Sequence, residues 1–258
     1  MTQVDEHFAK IATAYRDART TDLEPILYIK ELLGKARPLV AADVGCGAGR
    51  YDLLLQMRLG DEMFLHCIDA NVEMLEELND HLSAEGIPNF QTHRALADDL
   101  PLDDGSLDCM FTFNACHHFE LKNFFAEARR TLKPGGKLFV YTRTRTQNAR
   151  SCWGVHFPGF IEREDRLYEV HEVAQAVAEI PDLEMVEFKA FRYDRTAELE
   201  RLLDQARNRH YSTFSLYDTE EFELALDEFT ENVKSCYDDI ENVTWRDENI
   251  LYVIERTG

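Results

Sequence analysis

The stretch "AADVGCGAGRYD", residues 41–52, constrains this chain more than any other. Gly45, Gly47 and Gly49 alternate with small residues directly after the apolar run "PLVAADV". A strand that ends in glycines and turns into a helix lets backbone approach a ligand, because glycine has no Cβ to clash. The dinucleotide fingerprint of such turns is GxGxxG, but the third position here is Arg50. A pyrophosphate needs bare backbone at a helix N-terminus, so a bulky residue weakens the dinucleotide reading. The next apolar run, "MFLHCIDA", reaches Asp69, 24 residues after Gly45. In a doubly wound sheet the tip of the second strand lies beside the first, where a carboxylate accepts both hydroxyls of a ribose. Loop and acid together read as a nucleoside site, without saying which nucleoside.

Around that loop the first half of the chain alternates helix and strand. "YDLLLQMR" is helical, "NVEMLEELNDHLSAEG" is a helix closed by Gly86, and "NFQTHRA" and "SLDCMFTFN" are strands. "LKNFFAEARRTL" puts Leu121, Phe124, Phe125, Ala128 and Leu132 on one helical stripe, and "LKPGG" turns the chain into the strand "KLFVYTR". Strands separated by helical patterns imply parallel pairing through right-handed crossovers. Upstream, "EHFAKIATAYRDAR" and "DLEPILYIKELLGK" read as two helices. The second carries Leu23, Ile26, Leu27 and Leu33 at helical spacing, with Gly34 as its stop.

The second half departs from alternation. "RLYEVHEVAQAVAEI" is a helix with Val170, Val173, Ala174 and Val177 inward. "LEMVEFKAFRYD" and "NILYVIERT" are strands, separated by the helical segments "TAELERLLDQARNRHY" and "TEEFELALDEFTENVKSCYDD". Phe222, Leu226, Phe229, Val233 and Tyr237 give the last segment one apolar face. Residues 218–248 hold twelve acids against Lys234 and Arg246, the pattern of a solvated helix face.

Charge narrows the partners. Lys plus Arg number 28 and Asp plus Glu 49, a formal charge of −21. Such a surface repels phosphate backbones at long range, which argues against nucleic acid or an anionic membrane as partner. No apolar run approaches the ~20 residues that cross a bilayer. The start "MTQVDEHFAK" has no signal-peptide hydrophobic region. The six cysteines form no CxxC pair, so free thiols in a reducing cytoplasm are expected, and no metal site.

The motifs "DVGCGAGR", "IDANVEML", "ADDLPLDDGSLDCMF" and "RTLKPGGKLFV", in this order, resemble the class I S-adenosylmethionine-dependent methyltransferases. The branch they resemble is the broad small-molecule one that includes the ubiquinone-biosynthesis type. The resemblance covers roughly residues 5–145 and the terminal strand pair, and "HFAKIATAYRDAR" is similar to that branch's leader. It implies an α/β fold: a Rossmann-like, doubly wound, seven-stranded sheet, mostly parallel with an antiparallel last strand, helices on both faces, and a helical lid. The expected core is 1–192 with 247–258, residues 1–36 being an N-terminal helical cap, and 193–246 is the lid inserted between the last two strands. The implied cofactor is S-adenosylmethionine, with S-adenosylhomocysteine as product. Asp43 would orient the loop and the cofactor's amino group, and Gly45, Cys46, Gly47 and Gly49 would line its methionine part. Asp69 would hold the ribose, with Ala70 and Asn71 flanking the adenosine. Ala97 and Asp98 would edge the adenine, Asn114 would lie near the sulfonium, and Tyr15 would close over the cofactor. Leu96 stands where related sequences carry an acid that bonds the adenine amino group.

Methyl transfer from a sulfonium needs the acceptor held in line and water excluded, and a base only where the acceptor must lose a proton. His117 and His118, in "NACHHFE", are the catalytic candidates, since ligands bind at the C-terminal edge of such sheets. Arg143, His156, Arg207, His210 and Tyr211 are the candidates for holding a small-molecule acceptor, with arginine suited to a carboxylate or phosphate. A catalytically silent S-adenosylmethionine-binding regulatory protein is the alternative. An NAD(P) oxidoreductase is disfavoured by Arg50 and "LKPGG", and a nucleic-acid methyltransferase by "NACH" and the net charge.

Overall fold

The computed structural model describes residues 21–34, 38–60 and 62–258. Tyr15 and the first expected helix lie outside the described residues. Seven strands form one sheet: β1 (Leu39–Val44), β2 (Met63–Asp69), β3 (Phe90–Arg94), β4 (Leu107–Phe113), β5 (Leu132–Thr142), β6 (Leu183–Ala197) and β7 (Val243–Arg256). Their order is β3-β2-β1-β4-β5-β7-β6. β1 runs parallel to β2 and β4, β2 to β3 and β4 to β5, whereas β7 is antiparallel to β5. The order reverses between β1 and β4, and a crevice opens at the carboxyl ends of strands flanking such a reversal.

The chain clusters into two compact units. Among the described residues one comprises 21–142, 170–189 and 250–258, the other 143–169 and 190–249. In the first, α1 (Glu24–Leu33) packs on α2 (Arg50–Leu59), and α4 (Leu121–Thr131) on α8 (Val170–Ala178). The α4 stripe is as its spacing requires, with Leu121, Phe124, Phe125 and Ala128 buried. In α1 the buried face is Pro25, Ile26 and Ile29, and Leu27 is exposed. Leucine spacing alone places Leu27 inward, but packing on α2 selects the neighbouring stripe. Gly34 stops this helix at φ 63°, a conformation that favours glycine.

The second unit has its own apolar core. Trp153, from α6 (Cys152–His156), stacks on Phe229 at 5.1 Å and meets Phe214 edge-on at 5.2 Å. Leu199, Leu202, Leu203 and Ala206 of α9 (Leu199–Arg207) join Phe222, Leu226, Phe229 and Val233 of α10 (Thr219–Cys236) in the same cluster. Asp218 and Glu221 start α10 with a reciprocal capping box. The acids of α10 face solvent, as a solvated helix face should. This unit is larger than the expected 193–246 insert. Phe157 and Phe160, with Trp153, supply much of its aromatic core, so 143–169 clusters with it. β7 likewise begins at Val243, before the apolar run that announces it, because its first residues belong to this unit. Among the described residues no helix is long and apolar enough to cross a membrane.

Candidate functional site

The glycine loop leaves the carboxyl end of β1 at the order reversal. Gly45 and Cys46 donate their N–H groups to the Ile68 carbonyl at 2.8 and 3.1 Å, which ties the loop to β2. All three glycines have positive φ: 76° at Gly45, 56° at Gly47 and 78° at Gly49. The reasons differ. A Cβ on Gly45 would lie 2.5 Å from Ala115 Cβ and 3.0 Å from Phe119 Cζ, and one on Gly49 would lie 2.8 Å from Leu78 Cγ. A Cβ on Gly47 would meet nothing within 4 Å among the described residues. Gly45 and Gly49 therefore fit against protein, while Gly47 offers bare backbone to open space.

Asp69, at the end of β2, binds that backbone. Its Oδ2 accepts the Gly47 N–H at 2.9 Å and its Oδ1 accepts the Asn71 N–H at 2.9 Å. Burial pushes its carboxyl up, and the backbone N–H groups of Asn71, Gly47 and Ala70 oppose that. Asn71 also caps α3 (Val72–Ala84), accepting from the Met74 N–H at 2.9 Å. Ala70 is exposed, and its carbonyl accepts from Arg94 Nε at 3.3 Å.

Asp43 is 1% exposed and its Oδ1 has no hydrogen-bond partner among the described residues. Burial, then the charges of Asp52 and Asp69, hold its carboxyl well above the usual range. Asp52, in the first turn of α2, is fully buried and accepts from the Cys67 thiol at 3.1 Å. Burial pushes Asp52 up to about 7, against the hydrogen bonds from Cys67 and its own backbone. Its Oδ2 also has no hydrogen-bond partner among the described residues. Sequence reasoning overlooks Asp52, because an acid in a first turn ordinarily faces solvent and complements the helix dipole. The available signal is its spacing to the buried Leu55 and Gln56, three and four residues on. Burial, then Asp52, Cys67, Asp69 and Asp43, also push the Cys46 thiol well up.

Two further edges complete the surroundings. Asn114 follows β4 at φ 55°, with its N–H held by the Tyr141 carbonyl at 2.7 Å. A non-glycine residue at positive φ is a strained conformation that clusters at functional sites. A 3-10 turn, Cys116–His118, comes next, and the two histidine rings lie 4.1 Å apart. His117 is half-buried and His118 exposed, and Glu120 is the N-cap of α4. In the segment after β3, Ala97 is half-buried, Asp98 is exposed and Leu96 is 61% exposed.

The acceptor candidates fall in the second unit, and not together. Arg143 donates to Asp247 Oδ1 at 3.0 Å and lies over the Tyr211 ring at 5.3 Å. The His210 ring is 4.3 Å from Tyr211 and 5.3 Å from Trp153, with Nδ1 2.9 Å from the Gln205 carbonyl. Arg143, Tyr211 and His210 thus form one chain of contacts. Arg207 is apart, paired on the surface with Glu200 and Asp204 at 3.0 and 3.2 Å. His156 packs edge-on to Tyr237 at 5.7 Å, and burial lowers its pKa.

Residues 42–140, which contain the loop, Asp69 and Asn114, match the family model described as "Methyltransferase domain". That stretch is similar to a methyltransferase domain. The chain is similar to the ubiquinone/menaquinone biosynthesis C-methyltransferase of Teredinibacter turnerae, 31% identical over 42% of this chain and 44% of that one. It is also similar to the malonyl-[acyl-carrier protein] O-methyltransferase of Dechloromonas aromatica, 29% identical over 52% of this chain and 48% of that one. The chain spans about a third to a half of the length of the first curated relatives it matches. The methyltransferase fold extends further than the sequence match. Geranyl diphosphate C-methyltransferase from Streptomyces coelicolor, solved with Mg2+, geranyl-S-thiolodiphosphate and S-adenosyl-L-homocysteine, superposes with a TM-score of 0.56. That alignment covers 90% of this chain and 74% of the other at 17% identity.

Proposed function

We propose that this chain binds S-adenosylmethionine on the Gly45–Gly49 loop and transfers its methyl group to a small-molecule acceptor. The observation that carries the reading is the pairing of Asp69 with the bare Gly47 backbone inside a stretch similar to a methyltransferase domain. The donor set suits the ligand. Asp69 would exchange backbone N–H partners for ribose hydroxyls, and the unpartnered Oδ1 of Asp43 would accept from the amino group. Leu96 and Ala97 would present apolar surface to the adenine, and Asp98 would lie at its edge. When bound, the sulfonium supplies an already activated methyl group for in-line displacement.

The rest falls to the chain's own residues. Asn114 would orient the amino-acid end of the ligand. His117, on the turn after β4, would orient the acceptor or take its proton at an imidazole nitrogen. The acceptor atom, carbon, oxygen, nitrogen or sulfur, is left open, since function lives in the site rather than in the fold. The formal charge of −21 favours a small molecule over nucleic acid. Arg143 and Tyr211 would serve an acceptor with an anionic or aromatic group.

Thermal unfolding tests the reading. S-adenosylhomocysteine at about 100 times its Kd should stabilise the folded chain by about 2.7 kcal/mol, and NAD should leave it unchanged. Stabilisation by NAD alone would replace this reading with an oxidoreductase. Binding without transfer to any acceptor would favour the regulatory alternative.

A further inference from the structure

Asp43, Asp52 and Asp69 crowd one loop, and none of the three forms an ion pair among the described residues. The β1–β2 register pairs Asp43 with Cys67, and Asp69 lies two residues beyond Cys67, so all three point to one face of the sheet. The Cys67 thiol reaches Asp52 Oδ1 on the same face. Asp69 has backbone N–H partners for both oxygens, but Asp43 and Asp52 are each left with one buried, unpartnered oxygen. The titratable groups that interact with them are Cys46 on the loop and Cys67 on β2, while Arg50 starts α2 and His117 and His118 follow β4. Burial pushes both thiols well up and keeps them neutral. Two fully buried carboxylates beside a third, half-buried one cannot all ionise without a counter-charge.

We propose that the Asp43–Asp52 pair makes the donor site read ligand charge, binding a cationic sulfonium in exchange for one proton and a neutral thioether with no exchange. The proposal rests on the donor reading above. The pair keeps one proton in the ligand-free protein. Both ligands carry the same amino acid, whose ammonium and carboxylate charges cancel, so the sulfonium alone supplies the missing counter-charge, and the proton passes to solvent. The thioether product has no net charge, and the pair takes its proton back. Substrate is therefore favoured over product by charge as well as by shape, increasingly so as pH rises. Asp52 is a positioning residue here, acting through Asp43 and the loop.

Calorimetric titration of the full chain with S-adenosylmethionine and with S-adenosylhomocysteine at pH 6 and pH 8 tests this. The affinity ratio in favour of the sulfonium should rise about tenfold across that range, the effect of releasing one proton from a group titrating near the midpoint. In Asp52→Asn the ratio should be the same at both pH values. For the unaltered chain near pH 6, sulfonium binding in buffers of different ionisation enthalpy should report close to one proton released, and thioether binding close to none. A ratio that does not change with pH, a change that persists in Asp52→Asn, or equal proton release by both ligands would overturn the charge reading alone. Failure of either ligand to bind at any pH would instead overturn the donor reading and this proposal with it.

Discussion

In the unit built from 143–169 and 190–249, buried charge meets opposite charge. Glu164, 4% exposed, receives Arg166 at 2.9 and 2.6 Å and also bonds Thr213. Arg143 meets Asp247, and Glu248 receives both Arg150 and Arg192. Burial alone would push Glu248 up, but its two arginines bring it below its ordinary value. In the sheet unit, Asp43 and Asp52 are buried more deeply and form no ion pair among the described residues. Charges paired within the fold serve the fold. Buried carboxylates left unpaired lower stability, and such perturbed groups gather where a ligand completes the arrangement.

Removing a partner should hurt the two regions differently. The largest effect is expected for Arg166→Ala, which strands the buried Glu164 and should cost about 3–5 kcal/mol in chemical denaturation. Replacing Glu164 and Arg166 together by leucine should recover most of that. A loss under about 1 kcal/mol for Arg166→Ala would break the contrast.

Asp52→Asn should do the reverse. The folded chain holds a proton on Asp52 up to about pH 7, whereas unfolded aspartate releases it near pH 4. Between those values the native state binds more protons, so the stability linked to Asp52 falls as pH rises through that window. Denaturation between pH 5 and pH 8 should show that fall, on the order of a few kcal/mol, and the asparagine variant should lose most of it. The smallest effect is expected for Arg207→Ala. Its pairs with Glu200 and Asp204 are solvent-exposed, so stability should change by less than about 0.5 kcal/mol.

What the sequence discloses follows from distance along the chain. The glycine loop, Asp69 and the α4 stripe are local patterns, and each stands where its spacing requires. Parallel pairing in the first half is legible because alternating strands and helices leave few topologies. Asp52 is not, since its burial depends on Cys67 and Asp43 arriving from neighbouring strands. Nor is the allegiance of 143–169, because Trp153, Phe157 and Phe160 meet Phe214 and Phe229 only across long stretches of chain. Arg143 and Arg207 look alike as candidates in sequence. The structure separates them, one buried against Asp247 and Tyr211, the other exposed on α9.

The central claim is that the Gly45–Gly49 loop with Asp69 is a methyl-donor site. Calorimetric titration of S-adenosylhomocysteine into the unaltered chain and into Asp69→Ala addresses it directly. The account predicts saturable binding to the unaltered chain, weakened in the variant by about 1–3 kcal/mol, the scale of unmade buried hydrogen bonds. Equal affinity in the two proteins, or binding to neither while NAD binds the unaltered chain, would contradict it.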